Sequence, residues 1–251
     1  MKTGKAPALV RQKNSAQRLR QMHDLLAAAY GPQHWWPAKT SFEVILGAYL
    51  TQNTAWKAVE ISIENLRAAG ALTVDGLRAI DLGELQILIR RSGFYTRKAP
   101  ALKAFIAMLD AEFDGSLEAL AAVPTERLRQ RLLSLPSVGP ETADAILLYA
   151  LGHAVPVADE YLRRIVERHQ LLIEPPARHR KGYEALVKIT REAFASDPES
   201  NRSPLFNEFH ALNVAVGKAH CGKKARCAGC PLEADLFRYC ERLPREAKVK
   251  L

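Results

Sequence analysis

Cysteine is scarce in this chain: 251 residues contain four, and all of them lie between positions 221 and 240. In a reducing compartment so few, so tightly grouped, argue for a metal rather than for disulfides. No apolar run approaches the length needed to span a membrane. The N-terminal stretch MKTGKAPALVRQKNSAQRLRQ has no apolar signal-peptide core and reads as a basic lead-in. The expectation is a cytoplasmic, nucleoid-associated protein with no membrane partner. Sustained two-residue alternation is missing, as is any hairpin signal of the Asn-Gly type, which argues against a β fold. Acidic residues are outnumbered, 27 against 36 lysines and arginines, and the net charge of +9 with pI about 9.5 suits a polyanion partner.

What is present is helical periodicity. Thr40-x-x-Glu43 and Asp81-x-x-Glu84 have capping-box spacing. Pro100, Pro124, Pro136 and Pro156 punctuate the middle of the chain. The reading is all-α, roughly ten helices joined by short loops, in a chain long enough for one large domain or two packed ones. His169, His179, His210 and His220 are scattered without ligand spacing and read as structural or surface residues.

The most informative stretch is LLSLPSVGPETADAILLYALGHAVPVADEYL, from Leu132 to Leu162. Pro136 stops a helix, Gly139 offers a backbone conformation closed to other residues, and Pro140 suits the first turn of the next helix. Ala143, Ile146, Leu147, Ala150 and Leu151 then recur at helical spacing. The result is a helix, a tight turn and a second helix, whose free N–H groups near Gly139 can hold a phosphate. Asp159 opens a third helix, as an N-cap. Upstream, the polar TQNT of residues 51–54 interrupts two apolar helices, and His34-Trp35-Trp36-Pro37 sets two adjacent indoles before a proline. Downstream, Cys221-x5-Cys227-x2-Cys230-x9-Cys240 carries a central C-x2-C, a metal signal that fits Zn²⁺ or a thiolate-held cluster.

LPSVGPETADAILLYA followed by VADEYLRR resembles the helix-hairpin-helix and aspartate signature of the endonuclease III superfamily of DNA glycosylases. WWP, SFEVILGAYLTQNTAWKAV, SGFYTRKAPALK and GPETADAILLYA together resemble its 3-methyladenine branch, in one order from about Trp35 to Arg164. The resemblance implies that Asp159 is catalytic and that Gln52 fills the gap left by a flipped base. It makes Val138, Gly139 and Thr142 hairpin residues at DNA phosphates. Trp35, Trp36 and Trp56 fall where the alkylpurine branch puts pocket aromatics. It also implies a [4Fe–4S] cluster held by Cys221, Cys227, Cys230 and Cys240. The long last gap departs from the family's spacing, and Zn²⁺ stays the alternative. Lys223, Lys224 and Arg226, inside the first ligand loop, are then candidates for DNA phosphates.

Two helical lobes follow from the same resemblance: 41–153, a bundle ending in the hairpin, and 1–40 with 154–251, carrying the cysteine loop. The partner implied is duplex DNA with a damaged base, and the protein a monomer. Bifunctional relatives use a hairpin lysine as Schiff-base nucleophile, and Glu141 stands at that position, which implies a monofunctional glycosylase. The alternatives are an endonuclease III-type enzyme for oxidised pyrimidines or mismatched bases, and a non-catalytic DNA-binding iron–sulfur protein.

Overall fold

The computed structural model describes residues 7–35, 38–172, 176 and 180–240, the side chains of 7–14 and 237–240 excepted. In chain order the helices are α1 (Pro7–Tyr30), α2 (Ser41–Leu50), α3 (Trp56–Ala68), α4 (Val74–Ala79) and α5 (Leu82–Leu88). After a 3-10 turn at Arg90–Ser92 come α6 (Tyr95–Phe113), α7 (Leu117–Ala121), α8 (Thr125–Leu133) and α9 (Pro140–Ala145). A π-helical turn, Ile146–Ala150, extends α9, and α10 (Glu160–Arg168), α11 (Arg180–Ala193), α12 (Glu199–Ala219) and α13 (Glu233–Cys240) complete the order. Among the described residues the extended pairing is confined to an isolated bridge between Cys221 and Ala225. The all-α expectation holds.

The chain forms two compact units, Trp36–Val155 and Met1–Trp35 with Pro156–Leu251. In the first, α2 is buried from Phe42 to Leu50. A helix apolar on every side belongs in a core, and α2 packs against α3, α6, α9 and the π-helical turn. Its start follows the predicted cap in part. Thr40 Oγ1 accepts from Glu43 N at 3.2 Å, but the Glu43 carboxylate turns to Lys39 N and Arg67. At α5 the Asp81 carboxylate accepts from Gly83 N and Glu84 N.

Two expectations are corrected here. Pro100 does not break a helix: it lies inside α6, whose buried Ala99, Leu102, Phe105, Ile106 and Leu109 keep the helix running through the lost hydrogen bond. In the hairpin the left-handed residue is Ser137 (φ +62), whereas Gly139 is extended at φ −95. A Cβ at Gly139 would meet nothing within 4 Å, so backbone strain does not require glycine there. The chain turns back two residues earlier than the glycine signal suggests.

The second unit packs α1 on α11 and α12, and α10 on α12. Leu19, Met22, Leu26, Phe194, Phe209 and Leu212 are among its fully buried side chains. Tyr161 of α10 lies so close to Gly217 of α12 that a Cβ there would meet the ring at 2.1 Å. The α10–α12 contact that supports Asp159 therefore depends on a missing side chain.

Candidate functional site

In the second unit, Asp159 is the N-cap of α10, as expected. Its Oδ1 accepts from Leu162 N at 2.8 Å. Its Oδ2 is directed elsewhere and lies 3.7 Å from His210 Nε2 on α12. Asp159 and His210 are both buried, and the Trp35 ring meets the imidazole at a tilt of 57° with centroids 5.2 Å apart. The scattered spacing of the histidines reads as structural or surface; His210 is buried and lies beside the Asp159 carboxylate. No sequence signal joins positions so far apart. His169 is structural, with Nδ1 2.8 Å from Asp235 Oδ2, which also receives Arg18. His220 Nδ1 meets the carbonyl of Arg226 at 2.9 Å. His179, like Trp36, lies outside the described residues.

The hairpin belongs to the first unit. Its two helices are joined by a buried bidentate pair, Arg129 Nε to Asp144 Oδ1 at 2.6 Å and Nη2 to Oδ2 at 3.0 Å. Asp144 is wholly buried, so this pair acts as a rigid clamp behind the turn. At the surface the turn presents the backbone of Gly139, while the Val138 and Thr142 side chains are buried. Thr142 is engaged by Gln52: Gln52 Nε2 donates to Thr142 Oγ1 at 3.0 Å and to Ser137 O at 2.9 Å. The TQNT turn and the hairpin are thus one hydrogen-bonded surface. Glu141, exposed in the first turn of α9, is favoured there by the helix dipole.

Trp56 opens α3, half-buried, and its Nε1 donates to Glu60 Oε1 at 2.8 Å. It lines a cavity of about 410 Å³ with Lys39, Glu43, Glu60, Ile63 and Arg67. Phe94 lies in the SGFYTRKAPALK stretch, which by itself marks no site residue. The residue is 59% exposed, with φ +47, and caps α6. An exposed ring with Arg90, Arg91 and Arg97 close in sequence can stack on a base. The signal was an aromatic after Gly93, between arginines.

The cysteine loop joins α12 to α13. Arg168 of α10 donates to Cys221 Sγ at 2.9 Å and to the carbonyl of Gly222 at 2.8 Å. Burial pushes the Cys230 thiol up, and the nearby Cys221 and Cys227 push it further, so the three sulfurs feel one another. Thiols with a guanidinium donor form a set suited to a thiolate-held metal. Among the described residues no three His, Cys, Asp or Glu side chains gather round a common point, and the Cys240 side chain lies outside them. Arg226 is drawn back to cap α12, donating to Ala219 O at 2.8 Å, while Lys223 and Lys224 stay exposed.

The sequence pattern of the HhH-GPD superfamily of base excision DNA repair proteins matches residues 46–191. A Methanocaldococcus jannaschii protein, provisionally named a DNA repair glycosylase, is 37% identical over 224 residues, 88% of this chain and 97% of that protein. The chloroplastic endonuclease III homolog 2 of Arabidopsis thaliana is 29% identical over 211 residues. That match covers 78% of this chain and 49% of the relative, so this chain spans about half its length. The solved 3-methyladenine DNA glycosylase of H. pylori, bound to 1,N6-ethenoadenine, is similar with TM-score 0.68 and 28% identity. That likeness covers 82% of this chain and 97% of that one.

Proposed function

The chain belongs to the HhH-GPD superfamily of base excision DNA repair proteins, and from that premise we propose a monofunctional glycosylase that removes alkylated purines such as 3-methyladenine from duplex DNA. The broader part of this reading, a DNA glycosylase of the endonuclease III type, follows from the family. The finer part concerns the base and the missing lyase step.

The observation that carries the chemistry is the division of labour within one carboxylate. Asp159 Oδ1 is spent on the helix cap, which fixes the side chain, and Oδ2 is left beside His210. Breaking a base–sugar bond puts positive charge on the sugar, and a fixed carboxylate stabilises it without reorganising. The same oxygen can orient water for attack on that carbon. Support for the missing lyase step is compositional: no lysine occurs from 132 to 153, and Glu141 cannot form a Schiff base.

The choice of base rests on the aromatics. A methylated purine carries positive charge, which an indole face attracts. Trp35 is held against His210 and Trp56 is anchored by Glu60, so both rings are pre-positioned. The H. pylori relative is itself a 3-methyladenine glycosylase. Gln52, the Gly139 backbone, Lys223 and Lys224 would meet the duplex, and the protein would act as a monomer at the nucleoid. Cys221, Cys227, Cys230 and Cys240 would hold a [4Fe–4S] cluster, which fastens the loop and supplies no step of hydrolysis.

Borohydride trapping on duplexes carrying 3-methyladenine or a stable analogue tests the lyase part. The expected result is excision with no covalent adduct; a trapped adduct overturns the monofunctional reading. Iron and sulfide analysis of the purified protein decides between the cluster and zinc.

A further inference from the structure

Lys98, in the first turn of α6, is a buried cation with no carboxylate partner among the described residues. It is 2% exposed, and its Nζ donates to Leu50 O at 2.7 Å, Thr54 Oγ1 at 2.9 Å and Ser92 O at 2.7 Å. Those three bonds use every N–H an ammonium has. Burying a charge among neutral oxygens is costly, and burial lowers the Lys98 pKa to about 8. So expensive a group is informative through what it holds.

Its three acceptors come from three separate pieces of chain. Leu50 O is among the last carbonyls of α2, which lack helical partners and favour a cation. Thr54 closes the TQNT turn that carries Gln52, and Asn53 in that turn is left-handed at φ +52. Ser92 ends the 3-10 turn two residues before the exposed Phe94. Thr54 Oγ1 also donates to Ser92 O at 2.5 Å, so the two turns are joined directly as well as through the ammonium. On its other side Gln52 is bonded to the hairpin.

We propose that Lys98 is a positioning residue for base extrusion, locking the Gln52 turn and the Phe94 loop into one preformed wedge. This rests on the glycosylase reading and on Gln52 as the residue that fills the vacated stack. Extrusion costs a few kcal/mol of unstacking, which a side chain in the gap offsets only if its loop is already ordered. The lock therefore acts on opening the duplex and not on bond cleavage.

The test uses the full chain with Lys98→Met and, independently, Thr54→Val and Thr54→Ser. Single-turnover excision of one lesion is measured opposite its pairing base and opposite an abasic site, where little extrusion remains to be done. Loss of the lock should lower the paired rate about tenfold or more, equivalent to about 1.4 kcal/mol, and the unpaired rate less than about threefold. Thr54→Ser, which keeps the hydroxyl, should behave as the parent. Equal loss on both substrates, or no loss on either in folded protein, overturns the proposal. If Lys98→Met does not fold, the Thr54 pair decides alone. If the parent excises nothing, the glycosylase reading fails separately, and 2-aminopurine fluorescence beside the lesion still reports extrusion on binding. There, parent and variant giving equal unstacking overturns the role of Lys98, and a parent signal lost in the variant supports it.

Discussion

Asp159 Oδ2 lies 3.7 Å from His210 Nε2 while Asp159 Oδ1 caps α10. The two oxygens of one carboxylate therefore have different neighbours, and the proposed function gives them separable roles, one structural and one chemical. Asp159→Asn keeps a good N-cap, so the melting temperature should stay within a few degrees of the parent. Single-turnover excision should fall by about 10²-fold or more, the scale of losing an electrostatic stabiliser at a reacting centre. Unchanged excision would make Asp159 a cap and nothing else. His210→Leu should lower the rate by a smaller factor, because it removes a neighbour of Oδ2 and leaves the charge.

Trp56 is fixed at the start of α3 by its bond to Glu60, and it is half-buried. Truncation there should leave the fold intact, because α2 and not α3 forms the centre of that unit. Trp56→Ala should therefore weaken excision of 3-methyladenine about tenfold or more at a stability cost of about 1 kcal/mol. A folded variant with normal excision would remove Trp56 from the pocket.

The Arg129–Asp144 pair ties α8 to α9 behind the hairpin turn. Asp144→Ala removes the bidentate acceptor of a buried guanidinium and should cost about 3–5 kcal/mol, read from chemical denaturation. Replacing both residues with apolar ones of similar volume should recover much of that stability. A loss under 1 kcal/mol for Asp144→Ala would mean that the guanidinium finds another partner.

Lys98 gives a pH dependence of unusual sign. Its folded pKa, about 8, lies below the ordinary lysine value of 10.5. Between the two the unfolded chain binds the extra proton and the folded chain does not, so this group makes stability rise with pH across that window. The rise is on the order of 3 kcal/mol. A neutral amine has two N–H bonds and must release one of three acceptors, so excision of a paired lesion should fall as pH rises through about 8, where the folded group loses its proton. Denaturation and excision at several pH values, with Lys98→Met as reference, check the opposed trends. Parallel curves for parent and variant would contradict them.

Local signals were legible in the sequence: the caps at Thr40 and Asp81, Pro140 at a helix start, Asp159 as an N-cap, and the order of the motifs. Each depends on residues within one turn of one another. Relationships that tertiary packing decides were not. Pro100 reads as a break, yet burial of α6 carries the helix through it. Gly139 draws attention as the flexible residue, while Ser137 makes the left-handed turn. Gln52 is marked by a polar interruption, but nothing in TQNT indicates its bonds to Ser137 and Thr142. His210 has no spacing that links it to Asp159, and only the packing of α10 on α12 brings them together.

The central claim is tested most directly on a panel of duplex oligonucleotides, each with one lesion, assayed with and without hot alkali. The panel holds 3-methyladenine or a stable analogue, 7-methylguanine, hypoxanthine, thymine glycol, 8-oxoguanine and a G·T mismatch. The account predicts strand breaks at the alkylated purines that appear only after alkali, the mark of base removal without strand cleavage. Direct breaks at thymine glycol, with the alkylated purines untouched, would contradict both the base assignment and the role of Glu141 in place of a lysine.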